Sequence, residues 1–424
     1  MRSRLSLAMV FAMLVSMFTN PAHAAKSEIN VLLFGMPYTR GLQAIAADFE
    51  AETGIKANIE VIGQKVFENR ITLEFTGNTN KIDVVHTPVI QIQRWIKAGW
   101  VQSMTDRVNK IDDRDGILAG PLDAYKVNGE YWAVPYMAAV GMMTYRKDIL
   151  DAAGKKFPKT FDEMIDVAKA IHSKDVAAVA LRAAPGQGFN MFIFPMIMRA
   201  YGGKFFADYV GGDLTPAINS PETLKALRVY MTLLNKYGPP GAGNFNFPEV
   251  RAAVIHGKVA MTLEGTGIVN AITSPAKSKF ASKQGVALPP AGPAGRSPAI
   301  AVHGLGIPKG ATDPETSFKF IEWATSAKTV IKIALAEPFP DFVRAKVAQN
   351  PEVAKKYSSL HPDVMPTRLK ALDLAIGHYR PLIPEWPALG QAIGENINAA
   401  LNGLVSPEEA LKSAEQEMKE ILGQ

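Results

Sequence analysis

The chain has 424 residues, 47% of them hydrophobic and 20% charged, with a formal charge of +6 and no cysteine. This is the composition of a folded globular protein rather than a disordered one. The lack of Cys excludes disulfides, thiolate metal sites, a cysteine nucleophile and a lipid-modified N-terminal Cys. Basic and acidic residues are interspersed, as at Lys147-Asp148 and at Lys319 near Glu322, so no Lys/Arg block points to a nucleic-acid partner.

Arg2 and Arg4 lead into an uncharged, mostly apolar run from Leu5 to Phe18 that closes on Ala22-His23-Ala24. Residues 1–24 read as a secretory signal peptide, cut after Ala24. The run is short for a bilayer span, and no later stretch reaches about 18 uninterrupted apolar residues. The expectation is a protein exported to the periplasm. The remaining ~400 residues exceed one ordinary core and suit two lobes.

Ile29 to Phe34 is an almost continuous apolar run, typical of a parallel strand buried on both faces. Gly35-Met36-Pro37-Tyr38 breaks it. Leu42, Ile45, Ala46 and Phe49 follow at helical spacing, and Gly54 stops that helix. Ile55, Ala57, Ile59 and Val61 alternate as a second strand. A helix over about 66–75 leads to a third strand, Ile82–Val85, and a further helix carries Ile92, Trp95 and Ile96 up to Gly99. Alternating strands and helices at this spacing predict a parallel sheet flanked by helices.

Asn128-Gly129 between two alternating segments predicts a hairpin over 125–134, followed by an extended apolar segment from Met137 to Tyr145. Three later helices carry explicit start signals. Thr160 and Glu163 form a capping box, Ser220-Pro221 is an N-cap with Pro at the first helical position, and Ser406-Pro407 with Glu409 combines both devices. Residues 285–300 are rich in Pro, Gly and Ala. A strand then runs from Ile300 toward Lys309, ahead of a helix capped by Asp313-Pro314, and a second break falls near 337–340.

Enzyme motifs are missing. No GxxxxGK[ST], no GxGxxG after a strand, no GxSxG and no HExxH occurs. No two of His86, His172, His256, His303, His361 and His378 stand at i,i+4, so a helical zinc site has no local support. Neither a metal nor a cofactor is expected, and no catalytic residues are assigned.

An ordered series of segments does carry a resemblance. It comprises Leu42–Ile55, Asp83–Pro88, Ala98–Trp100, Asn128–Tyr136, Tyr145–Leu150, Gly257–Met261, Ser317–Trp323, Arg380–Trp386 and Glu408–Leu411. Together they resemble an extracellular solute-binding protein of the family 1, carbohydrate-type class that serves ABC importers. The tail also resembles members that bind sugars or sugar alcohols. The resemblance implies an α/β, two-lobed, hinged periplasmic-binding-protein fold, each lobe a mainly parallel sheet flanked by helices, with ligand between the lobes. It implies three crossings, set here near 138–142, 297–303 and 337–344. Lobe I then holds 25–138 and 302–340, and lobe II holds 139–301 and 341–424.

Sugar recognition needs aromatic faces for ring C–H groups and planar polar groups for hydroxyls. Ligands gather at the C-terminal ends of strands in such sheets. Tyr38 follows the first strand, and His86 and Thr87 follow the third. Trp132 and Tyr136 lie in the hairpin segment, where they equally suit a hairpin core. Phe189 and Asn190 lie in a Gly-punctuated loop that opens an apolar helix. Glu264 ends the apolar strand Val259–Leu263, with Thr266 behind it. A carboxylate there is costly unless paired or solvated, which favours a ligand contact. His303 stands at a crossing strand. Arg344 and Trp386 lie in late loops that the resemblance would bring to the cleft; Trp386 also suits loop packing. Maltose-binding members carry a stacking Trp where this chain has Glu264-Gly-Thr-Gly267, which argues against a long glucan.

The expected function is the non-catalytic, substrate-binding component of an ABC importer. It would take a small sugar, sugar alcohol or related polyhydroxylated solute to an inner-membrane permease, as a monomer. The same fold binding a polyamine, an opine or ferric ion stays open, as does an exported carbohydrate-active enzyme. A glycosidase needs two carboxylates, and only Glu264 offers itself.

Overall fold

The computed structural model describes residues 27–337 and 339–424. The expected signal peptide and its cleavage site lie outside them. Twelve strands occur among the described residues: β1 (Glu28–Phe34), β2 (Lys56–Ile62), β3 (Val84–Pro88), β4 (Lys126–Val127), β5 (Glu130–Tyr131), β6 (Val134–Arg146), β7 (Ala177–Val179), β8 (Phe206–Asp208), β9 (Asp213–Pro216), β10 (Val259–Gly265), β11 (Gln284–Ala287) and β12 (Ile300–Gly306).

The main sheet runs β2-β1-β3-β12-β6-β10-β7, with β11 also paired to β6. Its two flanks are parallel: β1 with β2 and β3, and β10 with β7. Helices Pro37–Ala44, Ala46–Thr53, Gln64–Thr76 and Val89–Lys97 make the crossovers of the first flank. The helix expected to run up to Gly54 is two helices, because Ile45 leaves helical geometry at φ −110° and ψ 16°. Gly54 caps the second with a left-handed φ of 72°.

β6 joins the two lobes. From Val134 to Val140 it pairs antiparallel with β12; from Gly141 to Arg146 it pairs antiparallel with β10 and β11. Two large cores sit on either side of that change of partners. The first gathers Ile29, Val31, Leu33, Tyr125, Tyr136 and Leu305. The second gathers Met143, Phe161, Phe194, Leu263, Trp386 and Met418. Phe342, Val343, Val347, Val353 and Tyr357 join the first core, although they follow the expected division at 341.

Local chemistry accounts for the turns and helix starts. Asn128 and Gly129 both have positive φ, 52° and 85°, as a two-residue turn between β4 and β5 requires. Ser406 Oγ accepts from Glu409 N at 3.2 Å while Ser406 N donates to the Glu409 carboxylate at 2.9 Å, a reciprocal cap for helix Pro407–Leu422. At Phe161–Ile171 only half of the box forms. Thr160 Oγ1 accepts from Glu163 N at 3.1 Å, but the Glu163 carboxylate takes Lys159 N instead. Among the described residues, no helix is long and apolar enough to cross a membrane.

Candidate functional site

On the first lobe the site begins where β1, β3 and β12 lie side by side. The ring of Phe34, at the end of β1, meets His86 edge-on at 4.9 Å and His303 at 5.9 Å. His86 is fully buried. Its Nδ1 lies 2.8 Å from the Tyr136 hydroxyl and its Nε2 lies 3.1 Å from His303 Nδ1. Burial holds His86 well below the usual imidazole range, with His303 adding to the effect. Burial first, and then the charge of Arg380, push His303 down to about 3. Both rings are therefore neutral at physiological pH.

Several residues singled out from the sequence lie behind this surface. Tyr38 stacks on Tyr136 at 4.3 Å and donates to Ala324 O at 2.5 Å. Thr87 donates its hydroxyl to Val85 O at 3.1 Å, and its carbonyl accepts from Tyr125. Trp132 is half-buried and donates to Val127 O at 3.4 Å. Arg344 is buried in the first core, where its guanidinium donates to Thr325 O and lies 3.5 Å from Asp113. Trp386 packs against Phe205 in the second core at 5.0 Å.

On the second lobe, Glu264 is the next-to-last residue of β10, and β7 leads to Arg182. Arg182 forks onto the Glu264 carboxylate with bonds of 2.7 and 2.6 Å and donates its remaining Nη1 to Gly188 O at 2.8 Å. Gly265 N also donates to that carboxylate, at 2.7 Å. Glu264 has no exposed surface, and Phe192 and Phe247 flank the guanidinium at 4.6 and 5.0 Å. The carboxylate that the sequence marks as needing a partner has one inside the protein. Asn190 ties the preceding loop to helix Trp386–Leu401, accepting from Gly186 N at 3.2 Å and donating to Gly394 O at 2.8 Å. Phe189 beside it is half-buried.

Arg380 completes this side. Its Nη1 donates to Gln187 O at 2.6 Å, and its guanidinium lies 4.8 Å from the Tyr379 ring and 5.8 Å from Phe192. Sequence reasoning singled out neither Arg182 nor Arg380 as a site residue. Arg182 carried a signal, since it directly follows the apolar run Val176–Leu181 much as Glu264 follows the run Val259–Leu263. Arg380 stands in a Pro-containing segment with no periodicity.

Thr266 lies beside β6 where that strand changes partners. Its hydroxyl accepts from Val140 N at 3.2 Å and donates to Asp341. Ala138 N donates to Asp341 O at 2.8 Å and Gly141 N to Ala299 O at 2.8 Å, so 339–344, β6 and the segment before β12 run alongside one another. The two lobes also touch elsewhere. Ile90 packs against both cores, Lys97 pairs with Glu385 at 2.9 Å, and Gln64 Nε2 stands 3.3 Å from where a side chain on Gly188 would begin. Among the described residues, no group of three or more His, Asp or Glu is placed to hold a metal ion.

The arrangement presents neutral imidazole and aromatic groups from one lobe and guanidinium donors with aromatic rings from the other. A family model described as bacterial extracellular solute-binding protein matches residues 37–331. A mannitol-binding protein of Pseudomonas aeruginosa is 25% identical over 387 residues, covering 87% of this chain and 86% of that protein. A solute-binding protein from Agrobacterium radiobacter K84 in complex with ribitol superposes with a TM-score of 0.85 at 26% identity, covering 93% of this chain and 98% of the other. One from Agrobacterium vitis S4 with bound D-mannitol gives 0.82 at 26% identity, with the same coverage.

Proposed function

This chain belongs to the bacterial extracellular solute-binding protein family, and we propose that it captures a small sugar, sugar alcohol or related polyhydroxylated solute between its lobes for an inner-membrane ABC permease. The observation that carries this reading is that the lobes meet beside His86 and Arg182: the helix Gln64–Thr76, whose Phe67 packs on His86 at 5.5 Å, brings Gln64 Nε2 to 3.3 Å from where a side chain on Gly188 would begin, and Gly188 O accepts from Arg182. Relatives that bind mannitol and ribitol support the solute class.

In this reading Phe34, His303, Phe189, Phe192, Arg182 and Arg380 face the solute. His86, Tyr136, Asn190 and Glu264 hold those groups in place, and Thr266 belongs to the hinge. Tyr38, Thr87, Arg344 and Trp386 serve the cores, and Trp132 packs the edge of the first. The lobes divide at the expected crossings, except that 342–357 go with lobe I. The protein is exported to the periplasm, cut after Ala24, and acts as a monomer. A non-catalytic role fits this reading: the Glu264 carboxylate, the one candidate acid for glycoside hydrolysis, is held by Arg182 and Gly265 N. Two guanidinium groups at the cleft disfavour polyamines and ferric ion.

A thermal-shift screen of residues 25–424 tests this reading. The panel holds alditols, monosaccharides, disaccharides, polyamines and opines. A solute that binds only the folded state raises the midpoint by mass action. A rise with an alditol or sugar, lost in Arg182→Ala, supports the proposal. A rise with polyamines alone overturns the solute class.

A further inference from the structure

Four arginines are buried among the described residues: Arg146, Arg344, Arg368 and Arg380. Three have a carboxylate at hand. Arg146 pairs with Asp148 at 2.6 Å, Arg344 with Asp113 at 3.5 Å and Arg368 with Asp341 at 3.9 Å. Arg380 is 4% exposed and has none among the described residues. Its Nη1 goes to a backbone carbonyl, and its Nε is buried with no acceptor. The neighbouring Tyr379 and Phe192 are neutral rings. Glu264 is already committed to Arg182, whose own charge repels that of Arg380. A buried cation without a counter-ion is costly, and the cost is relieved when an anion arrives.

The position of Arg380 makes this more than a structural oddity. One ring, Phe192, lies against both Arg380 and Arg182, and Arg380 holds Gln187 O in the loop whose next residue is Gly188, where a side chain would begin 3.3 Å from Gln64 of the other lobe. The missing negative charge is thus missing at the cleft. A neutral alditol offers hydroxyl oxygens to a guanidinium but leaves its charge unbalanced. A carboxylate matches the planar fork and balances the charge as well.

We propose that the solute is a polyhydroxylated chain ending in a carboxylate, an aldonate-type acid, and that Arg380 receives that carboxylate while the other cleft groups read the hydroxyls. This rests on the solute-binding reading above and names the ligand within it.

The test is titration calorimetry on residues 25–424 with pairs that differ only at one terminal carbon: D-mannitol with D-mannonate, ribitol with D- and L-ribonate, and galactitol with D-galactonate. In at least one pair the acid binds tighter than the alditol by about tenfold or more, the range of a charge-assisted contact. In Arg380→Gln that ratio falls to within about threefold, while Arg380→Lys retains part of it. If Arg380→Gln does not fold, the wild-type ratio and its decrease with added salt decide alone. Equal or tighter binding of the alditol across all pairs overturns the carboxylate inference and leaves the solute-binding reading standing. No binding by either member of any pair, together with no response to the sugar panel, overturns both.

Discussion

His86 Nε2 lies 3.1 Å from His303 Nδ1, and the other ring nitrogen of His86 lies 2.8 Å from the Tyr136 hydroxyl. This chain of three fixes the protons. Tyr136 meets no other acceptor among the described residues, so it donates to His86 Nδ1. His86 then carries its proton on Nε2 and donates to His303 Nδ1, which leaves the His303 proton on Nε2. His303 therefore offers a donor, not an acceptor, on its remaining edge.

Tyr136→Phe removes the donor that sets this order. His86 is then free to carry its proton on Nδ1, which turns its Nε2 into an acceptor and drives the His303 proton to Nδ1. Solute affinity falls by about five- to tenfold, the range of one misdirected hydrogen bond, while the folded state loses about 1 kcal/mol. Long-range proton–nitrogen correlation spectra of the imidazoles check the tautomer directly. An unchanged His303 tautomer in the variant would sink the relay.

Arg182 and Glu264 act as a unit. Glu264→Gln leaves a half-buried guanidinium without its carboxylate, and Arg182→Met leaves a fully buried carboxylate without its cation. Each costs about 3–5 kcal/mol, as broken buried pairs do. The double variant Arg182→Met/Glu264→Gln is expected to be less destabilised than the sum of the two by about 2 kcal/mol, because neither charge is then stranded. Denaturant unfolding of the four proteins completes the cycle. Additive losses would show that the two side chains do not depend on each other.

Lys97 and Glu385 tie the helix Val89–Lys97 of one lobe to the start of Trp386–Leu401 on the other at 2.9 Å. The lysine is largely exposed, so the pair adds less than about 1 kcal/mol to stability. It nevertheless forms only while the lobes are together, so its contribution acts on closure. Glu385→Lys replaces attraction with repulsion and is expected to weaken solute binding about three- to tenfold at low salt, with the unliganded midpoint unchanged. The deficit should shrink as salt is raised toward 0.5 M, a salt titration of Kd being the check. A deficit that does not respond to salt would point to a cause other than charge.

Much of the fold is legible in the sequence because it is locally encoded. The strand–helix alternation, the Asn128-Gly129 turn and the Ser220 and Ser406 caps each depend on residues a few positions apart. The break at Ile45 is not legible, since Leu42 and Phe49 keep helical spacing across it. The site is harder to read because its parts are remote in the chain. His86 and Tyr136 are 50 residues apart, and His86 and His303 are 217 apart. Only the pairing of β3, β12 and β6 brings them together. Burial cost marks Glu264 as needing a partner, but not which partner, because Arg182 is 82 residues away. Arg380 opens a segment that carries the family resemblance, but no periodicity there marks it as a cleft residue; its meaning comes from what its neighbours lack.

Asp341 is buried beside β6 and accepts a hydrogen bond from Thr266. Burial raises its carboxyl to about 6, against the lowering effects of Arg368 and Thr266. An acid whose folded pKa lies above its unfolded value of about 3.9 binds its proton more tightly when folded. Its stabilising share is therefore complete below about pH 4 and is lost as pH rises toward 6. The change is on the order of 2 kcal/mol, opposite in sign to ordinary acid denaturation. His303 works the other way over the same range: its depressed pKa gives stability above about 6.5 that fades as pH falls. Asp341→Asn mimics the protonated acid and keeps an oxygen for Thr266, so it removes the Asp341 share alone. Between pH 4 and 6.5, its unfolding free energy is expected to fall more steeply on acidification than that of the wild type. The difference between the two curves isolates the carboxyl from every other titrating group. Parallel curves across that range would mean that Asp341 titrates near its unfolded value and that the crossing segment carries no such charge.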